Sequence, residues 1–171
     1  LALYAKPGVE HACLILQDEA GVDVCELLFH CWLYEHGLAA EPGPLKAIRE
    51  ERCRWQQQVT APLRQLRRGL KPQAAQSESI STLRKTLQTA EIQAERENLQ
   101  CWQQWALLSS EQEVSVIKGS INQHNIAQWL QDTLFLLPLD NFSSQAPRVR
   151  EDIQSAFLAL ASQLDRCESP R

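Results

Sequence analysis

Apolar positions recur along most of this chain at helical spacing, and the stretch Asp23 to Gly37, DVCELLFHCWLYEHG, departs from that pattern by being apolar on nearly every side. At about 100° per residue, Val24, Leu27, Leu28, Cys31 and Tyr34 cover one side, while Cys25, Phe29 and Trp32 cover another. Asp23 with Glu26 three residues on has capping-box spacing, and Gly37 supplies the glycine that follows many helices. The pattern predicts a buried central helix over Asp23 to His36. A helix apolar on two sides needs at least two others packed on it, which is a bundle.

The remaining periodicities supply the partners. Pro7 is placed to open a helix whose stripe is Val9, Ala12, Cys13 and Leu16. After a turn at Glu41-Pro42-Gly43-Pro44, the stretch Leu45 to Leu70 puts Ile48, Trp55, Val59, Leu63, Leu66 and Leu70 in one sector, with a kink expected at Pro62. Lys71 to Ser79 reads as a linker with a helix start at Ser77 or Ser79. From Ile80 to Leu108 a heptad-like seam runs through Ile80, Leu83, Leu87, Ala90, Ala94, Cys101 and Leu108, with Trp102 and Trp105 thickening its far end and Glu97 and Gln104 interrupting it. Ser110 with Glu113 marks another helix start, and Gly119 a break. Ile126, Trp129, Leu130, Thr133, Leu134 and Leu137 form a stripe that Pro138 ends. After a loop to Ala146, a last helix opens at Pro147 and buries Val149, Ile153, Ala156, Phe157, Leu160 and Leu164. Strand-like alternation is missing. The expectation is an all-α, single-domain helical bundle of about five to six helices around the central one, with a sub-boundary at linker 72–79.

Composition agrees, since 171 residues with 44% hydrophobic content suffice for a real core. No run of about 18 apolar residues exists to span a bilayer, and LALYAKPGVEH lacks the basic start and apolar stretch of a signal peptide. The reading is a cytoplasmic protein without a membrane segment. Its six cysteines fall within helical patterns, which favours reduced thiols over a disulfide framework. With no methionine, the chain reads as one whose start lies upstream of Leu1.

Charge is distributed unevenly. Residues 1–44 carry 1 basic and 7 acidic side chains, residues 45–75 carry 8 and 2, and residues 76–171 carry 8 and 12, for a net −4. On the wheel of the Leu45–Leu70 helix, Lys46, Arg49, Arg64, Arg67, Arg68 and Lys71 gather on one face, with Arg54 at its margin. Such a stripe attracts an acidic protein or a nucleic acid; equally, it suits the chain's own acidic helices. A pI near 5.6 and the lack of a recognised motif weigh against nucleic acid.

Arg52 falls inside the apolar sector of that helix, where a buried guanidinium must meet a carboxylate or line a cavity. Glu26 and His30, four apart on the central helix, offer a carboxylate beside an imidazole. With Arg52 they are the pocket candidates. No catalytic triad, phosphate-binding glycine loop or metal-ligand spacing is present, so no catalytic residue, metal or cofactor is assigned.

The stretch GVEHACLILQDEAGVDVCELLFHCWL resembles the opening of a family of small uncharacterised proteobacterial proteins, a domain of unknown function, most closely over Gly8 to Leu33. The likeness continues through Trp55, Val59 and Pro62-Leu63-Arg64. Cys25 stands where the family often has Asn, so a polar role of that position does not carry over. The resemblance implies a bacterial, helical, cytoplasmic protein and brings no activity. The sequence reading is therefore a non-enzymatic helical interaction or regulatory module that uses the basic face of residues 46–71. The alternatives are a ligand-binding or enzymatic bundle with a pocket near Glu26, His30 and Arg52, and a homodimer through the helix of residues 80–108.

Overall fold

In the computed structural model, which describes residues 2–109, 114–116, 125–134 and 147–164, the chain is all-α apart from one short two-stranded ladder. It forms two compact units: Leu1–Pro44 with Ser109–Arg171, and Leu45–Leu108.

The first unit is organised on the helix expected at its centre. Helix α1 spans Val9–Ala20 and α2 spans Val24–Glu35, while α7, Ile126–Leu134, and α8, Pro147–Ser162, come from the far end of the chain. Asp23 caps α2 by accepting from the backbone N–H of Cys25 at 2.8 Å and of Glu26 at 3.4 Å, an arrangement worth about 1 kcal/mol. At its other end the chain leaves through Gly37 at φ 70°, a left-handed conformation that favours glycine. From Cys25 through Cys31 every side chain of α2 is buried. Helix α1 buries Val9, Ala12, Cys13 and Leu16, and α8 buries Ile153, Ala156, Phe157 and Leu160. Helices α1 and α8 pack on each other, α7 packs on both α8 and α2, and α1 also touches α2. Each fully buried aliphatic or aromatic side chain contributes about 1.5–3 kcal/mol, so this shared core is what holds ends of the chain together that are far apart in sequence.

Two details near the start of the chain differ from expectation. Helix α1 begins at Val9 behind Gly8, which adopts φ 82° as its N-cap residue, so Pro7 lies in the turn before it. A strand, β1, Leu38–Ala40, pairs antiparallel with β2, Val114–Val116, in the register Leu38 to Val116 and Ala40 to Val114. Three residues are too few for alternation to be read from sequence.

The second unit is a helical hairpin. Helix α3, Pro42–Trp55, leads through a π-helical turn, Gln56–Thr60, into α4, Ala61–Gly69; a short helix α5, Lys71–Ala74, follows, and the 31-residue α6, Glu78–Leu108, returns. The expected turn at 41–44 is instead the first turn of α3, where proline's missing N–H costs nothing. The expected kink at Pro62 is realised one step earlier as the π turn: proline cannot donate to the carbonyl four residues back, and the backbone opens to accommodate its ring. Much of the expected linker is helical, with α6 starting at Glu78 and Ser77 Oγ accepting from the N–H of Ile80 at 3.5 Å.

The seam of α6 also differs from the expected one. Its inward line is Ile80, Arg84, Leu87, Glu91, Ala94, Asn98 and Trp102, whereas Leu83 is 50% exposed and Leu108 87% exposed. Polar side chains occupy three inner positions, which misleads a reading based on hydrophobicity alone. Ser110, Glu113, Gly119, Leu137, Pro138 and the loop after it lie outside the described residues, as do His124, Cys167 and the end of the chain.

Candidate functional site

The basic stripe is divided by the π turn. A π turn holds about one extra residue, so α4 is rotated by about 100° relative to the continuation of α3. Lys46 and Arg49 therefore belong to one helical phase and Arg64, Arg67 and Arg68 to another, with Lys71 opening α5.

Within the hairpin, Arg64 and Arg67 meet acidic side chains of α6. Arg64 donates from Nε to Glu91 Oε1 at 2.8 Å and from Nη2 to Glu95 Oε1 at 2.6 Å. Arg67 donates from Nε to Glu91 Oε2 and from Nη2 to Glu91 Oε1 at 3.1 Å. Burial alone would push the Glu91 carboxyl up, but the hydrogen bonds and charges of Arg67 and Arg64 outweigh it and hold the group below the usual carboxylate range. The same contacts hold both guanidinium groups protonated more firmly, against the desolvation that burial imposes on Arg64. Lys46, Arg68 and Lys71 are exposed, and Arg49 is half-buried.

Glu91 and Glu95 escaped the sequence reading, although a signal existed. The short connection between α5 and α6 folds the chain back on itself, which brings an acidic i,i+4 pair on α6 level with Arg64 and Arg67.

A polar line runs along the same hairpin. Arg52, Gln56 and Thr60 stand at successive four-residue steps across the π turn, and Arg52 Nε, Gln56 Oε1 and Thr60 Oγ1 are buried without a hydrogen-bond partner. Arg52 pairs through its terminal nitrogen with Glu51 and lies 6.0 Å from the centre of the Trp55 ring. The indole N–H of Trp55 donates to the Ala94 carbonyl at 3.1 Å and ties this part of the hairpin to α6.

Of the other pocket candidates, Glu26 and His30 belong to the first unit. His30 Nε2 is 3.6 Å from Glu26 Oε1, beyond a good hydrogen bond but within ion-pair distance. The helix edge that carries Glu26 and His30 is buried, with His30 at 0% exposure. Aromatic rings surround the imidazole: Phe29 at 5.2 Å between centroids and Trp129 of α7 at 6.3 Å, edge-on. Tyr34 in turn lies 5.7 Å from Trp129. Of the remaining histidines described, His11 is exposed, and His36 uses Nδ1 on the Trp32 carbonyl at 2.8 Å.

Among the described residues no group of three or more His, Cys, Asp and Glu side chains is placed to hold a metal ion. Among the described residues no disulfide joins Cys13, Cys25, Cys31, Cys53 and Cys101. No helix among the described residues is long and apolar enough to cross a membrane.

No curated protein and no solved structure matches the chain. The sequence model of one family, described as "Protein of unknown function (DUF2390)", matches residues 1–101, a range that takes in Glu26, His30, Arg52 and the Arg64–Arg67–Glu91–Glu95 cluster. The match covers more than half of the sequence, and the chain belongs to the DUF2390 family of proteins of unknown function.

Proposed function

We propose that the protein is a non-enzymatic helical interaction module whose hairpin, Leu45–Leu108, binds an acidic protein. The observation that carries this reading is the exposure of Lys71, Lys85 and Arg68 near the closed end of the hairpin. Arg64 and Arg67 are already neutralised by Glu91 and Glu95, so they set the geometry of the hairpin instead of meeting a partner. A cluster this small suits steering and orientation of an acidic protein surface. Nucleic acid asks for a longer cationic track, and the net charge of −4 opposes it at long range.

The test is capture from nuclease-treated lysate at low and high salt, comparing the wild type with the triple variant Arg68→Glu, Lys71→Glu, Lys85→Glu. The expected result is an acidic protein retained at low salt, released at high salt and lost in the variant, with helical circular dichroism unchanged. Substituting Arg64 or Arg67 by Glu would set carboxylates against Glu91 and confound folding with binding. Equal retention by the triple variant, or retention of nucleic acid alone before nuclease treatment, contradicts the reading.

A further inference from the structure

The polar line of the hairpin is out of keeping with its setting. Arg52 and Thr60 are 7% and 0% exposed, Gln56 between them is half-buried, and each encloses a polar atom that makes no hydrogen bond. Thr86 and Thr89 show the ordinary fate of a helical threonine, donating to the carbonyls of Thr82 and Lys85 one turn back at 3.2 and 3.1 Å. Thr60 does not. In the π turn the carbonyl one turn back, that of Gln56, accepts instead from the N–H of Ala61, five residues on, and the Thr60 hydroxyl is released from its own helix. Arg52 uses a terminal nitrogen on Glu51 and keeps Nε for the interior. Enclosed polar atoms without partners are destabilising, and such departures from the folding rules gather where a ligand is held.

The three atoms make a pattern that selects among ligands. Arg52 Nε only donates, Gln56 Oε1 only accepts, and the Thr60 hydroxyl does either. An anion brought here would compete with Glu51 for Arg52 and set its oxygens against that of Gln56. A neutral group with a carbonyl beside an N–H matches the line, its carbonyl accepting from Arg52 and its N–H donating to Gln56. Ala94, placed opposite this stretch by the Trp55 hydrogen bond, is the smallest residue on the inward line of α6. Half-buried Gln56 gives the line an edge at the surface.

We infer that Arg52, Gln56 and Thr60 form a binding site for a small neutral molecule that carries an amide group, the class of carboxamides and lactams. The site shares no residue with the basic flank proposed above to meet an acidic protein. It also accounts for a hydroxyl buried at the expense of stability, since Thr60 finds its partner only when the ligand is bound.

Benzamide is the probe, with benzoate and acetophenone as matched controls: benzoate exchanges the N–H for a charged acceptor, and acetophenone exchanges it for a methyl group. Each is titrated into the 171-residue chain while the indole N–H signal of Trp55, assigned by its loss in Trp55→Phe, is followed by NMR. The expected result is a saturable shift with benzamide, and binding of either control weaker by about tenfold, the weight of one hydrogen bond. Gln56→Leu and Thr60→Val should each weaken benzamide by a similar factor with helical circular dichroism unchanged. The Arg68→Glu, Lys71→Glu, Lys85→Glu variant should respond like the wild type. Benzoate binding as tightly as benzamide would make this an anion site, and acetophenone binding as tightly would make it an apolar slot. The absence of a saturable shift, or an undiminished one in Gln56→Leu and Thr60→Val, would leave these atoms to water. Each of these outcomes, like loss of the response in the triple variant, would overturn the inference.

Discussion

Arg64 and Glu91, 27 residues apart in the chain, meet at 2.8 Å across the two helices of the hairpin. Glu91 also takes both hydrogen bonds of Arg67, so one nearly buried carboxylate organises two guanidinium groups. Glu91→Ala leaves both cations facing a vacated site and should cost about 2–4 kcal/mol in urea-unfolding experiments. Arg67→Ala should cost less, because Arg64 still neutralises Glu91. A double-mutant cycle between positions 64 and 67 should be clearly non-additive, since the two arginines share one partner; strict additivity would mean that the cluster does not act as a unit.

The same carboxylate sets a pH dependence. The folded-state pKa of Glu91 lies below its ordinary value of 4.5, so its stabilising contribution is fully present above about that pH and is lost as pH falls through the depressed folded-state value. Thermal melts should show the wild type losing stability on acidification below 4.5, with a flatter acid limb in Glu91→Gln. Parallel acid limbs in the two proteins would assign the effect to other carboxylates.

Thiol reactivity should divide the cysteines by environment. Burial, aided by the charge of Glu10, pushes the Cys13 thiol up to about 12, and burial likewise raises Cys31 far above its ordinary range. Thiolate, the reactive form, is therefore scarce at both. Cys53 is exposed. Pulsed alkylation followed by peptide mass spectrometry at neutral pH should label Cys53 within the native protein, and Cys13, Cys25 and Cys31 only on unfolding. Prompt labelling of Cys31 would place it in a region that opens locally.

Thr60 is fully buried, and its hydroxyl has no partner. Valine has nearly the same shape without the polar atom, so Thr60→Val should be neutral or stabilising by up to about 1 kcal/mol. A clear loss of stability on chemical denaturation would mean that the hydroxyl is hydrogen-bonded in solution.

The first unit was far more legible in the sequence than the second. Helix α2 announced itself through Asp23, Gly37 and an apolar surface on two sides, and the stripe Val9–Leu16 and, apart from the half-buried Val149, the stripe Val149–Leu164 named their own buried residues, because in that unit burial largely follows hydrophobicity. In the hairpin it does not. Arg84, Glu91 and Asn98 hold inner positions of α6, so an apolar wheel selects Leu83 for the seam and misses the acidic pair that meets Arg64 and Arg67. The strand at Leu38–Ala40 is defined by a partner more than seventy residues away, and no local pattern encodes that pairing. Of the candidate side chains, the Glu26–His30 proximity follows from helical spacing alone, whereas their burial and the aromatic setting of His30 depend on where α7 packs.

The π turn at Gln56–Thr60 makes the hairpin sensitive to the number of residues it contains more than to their identity. Removing one residue there would join α3 to α4 in α-helical register, bent only where Pro62 interrupts the hydrogen bonds. Everything beyond would then swing by about 100° relative to α3, taking the Ala94 carbonyl out of reach of the Trp55 indole N–H. Within this pentapeptide, single deletions should therefore be far more damaging than substitutions at its exposed positions, Gln57 and Gln58.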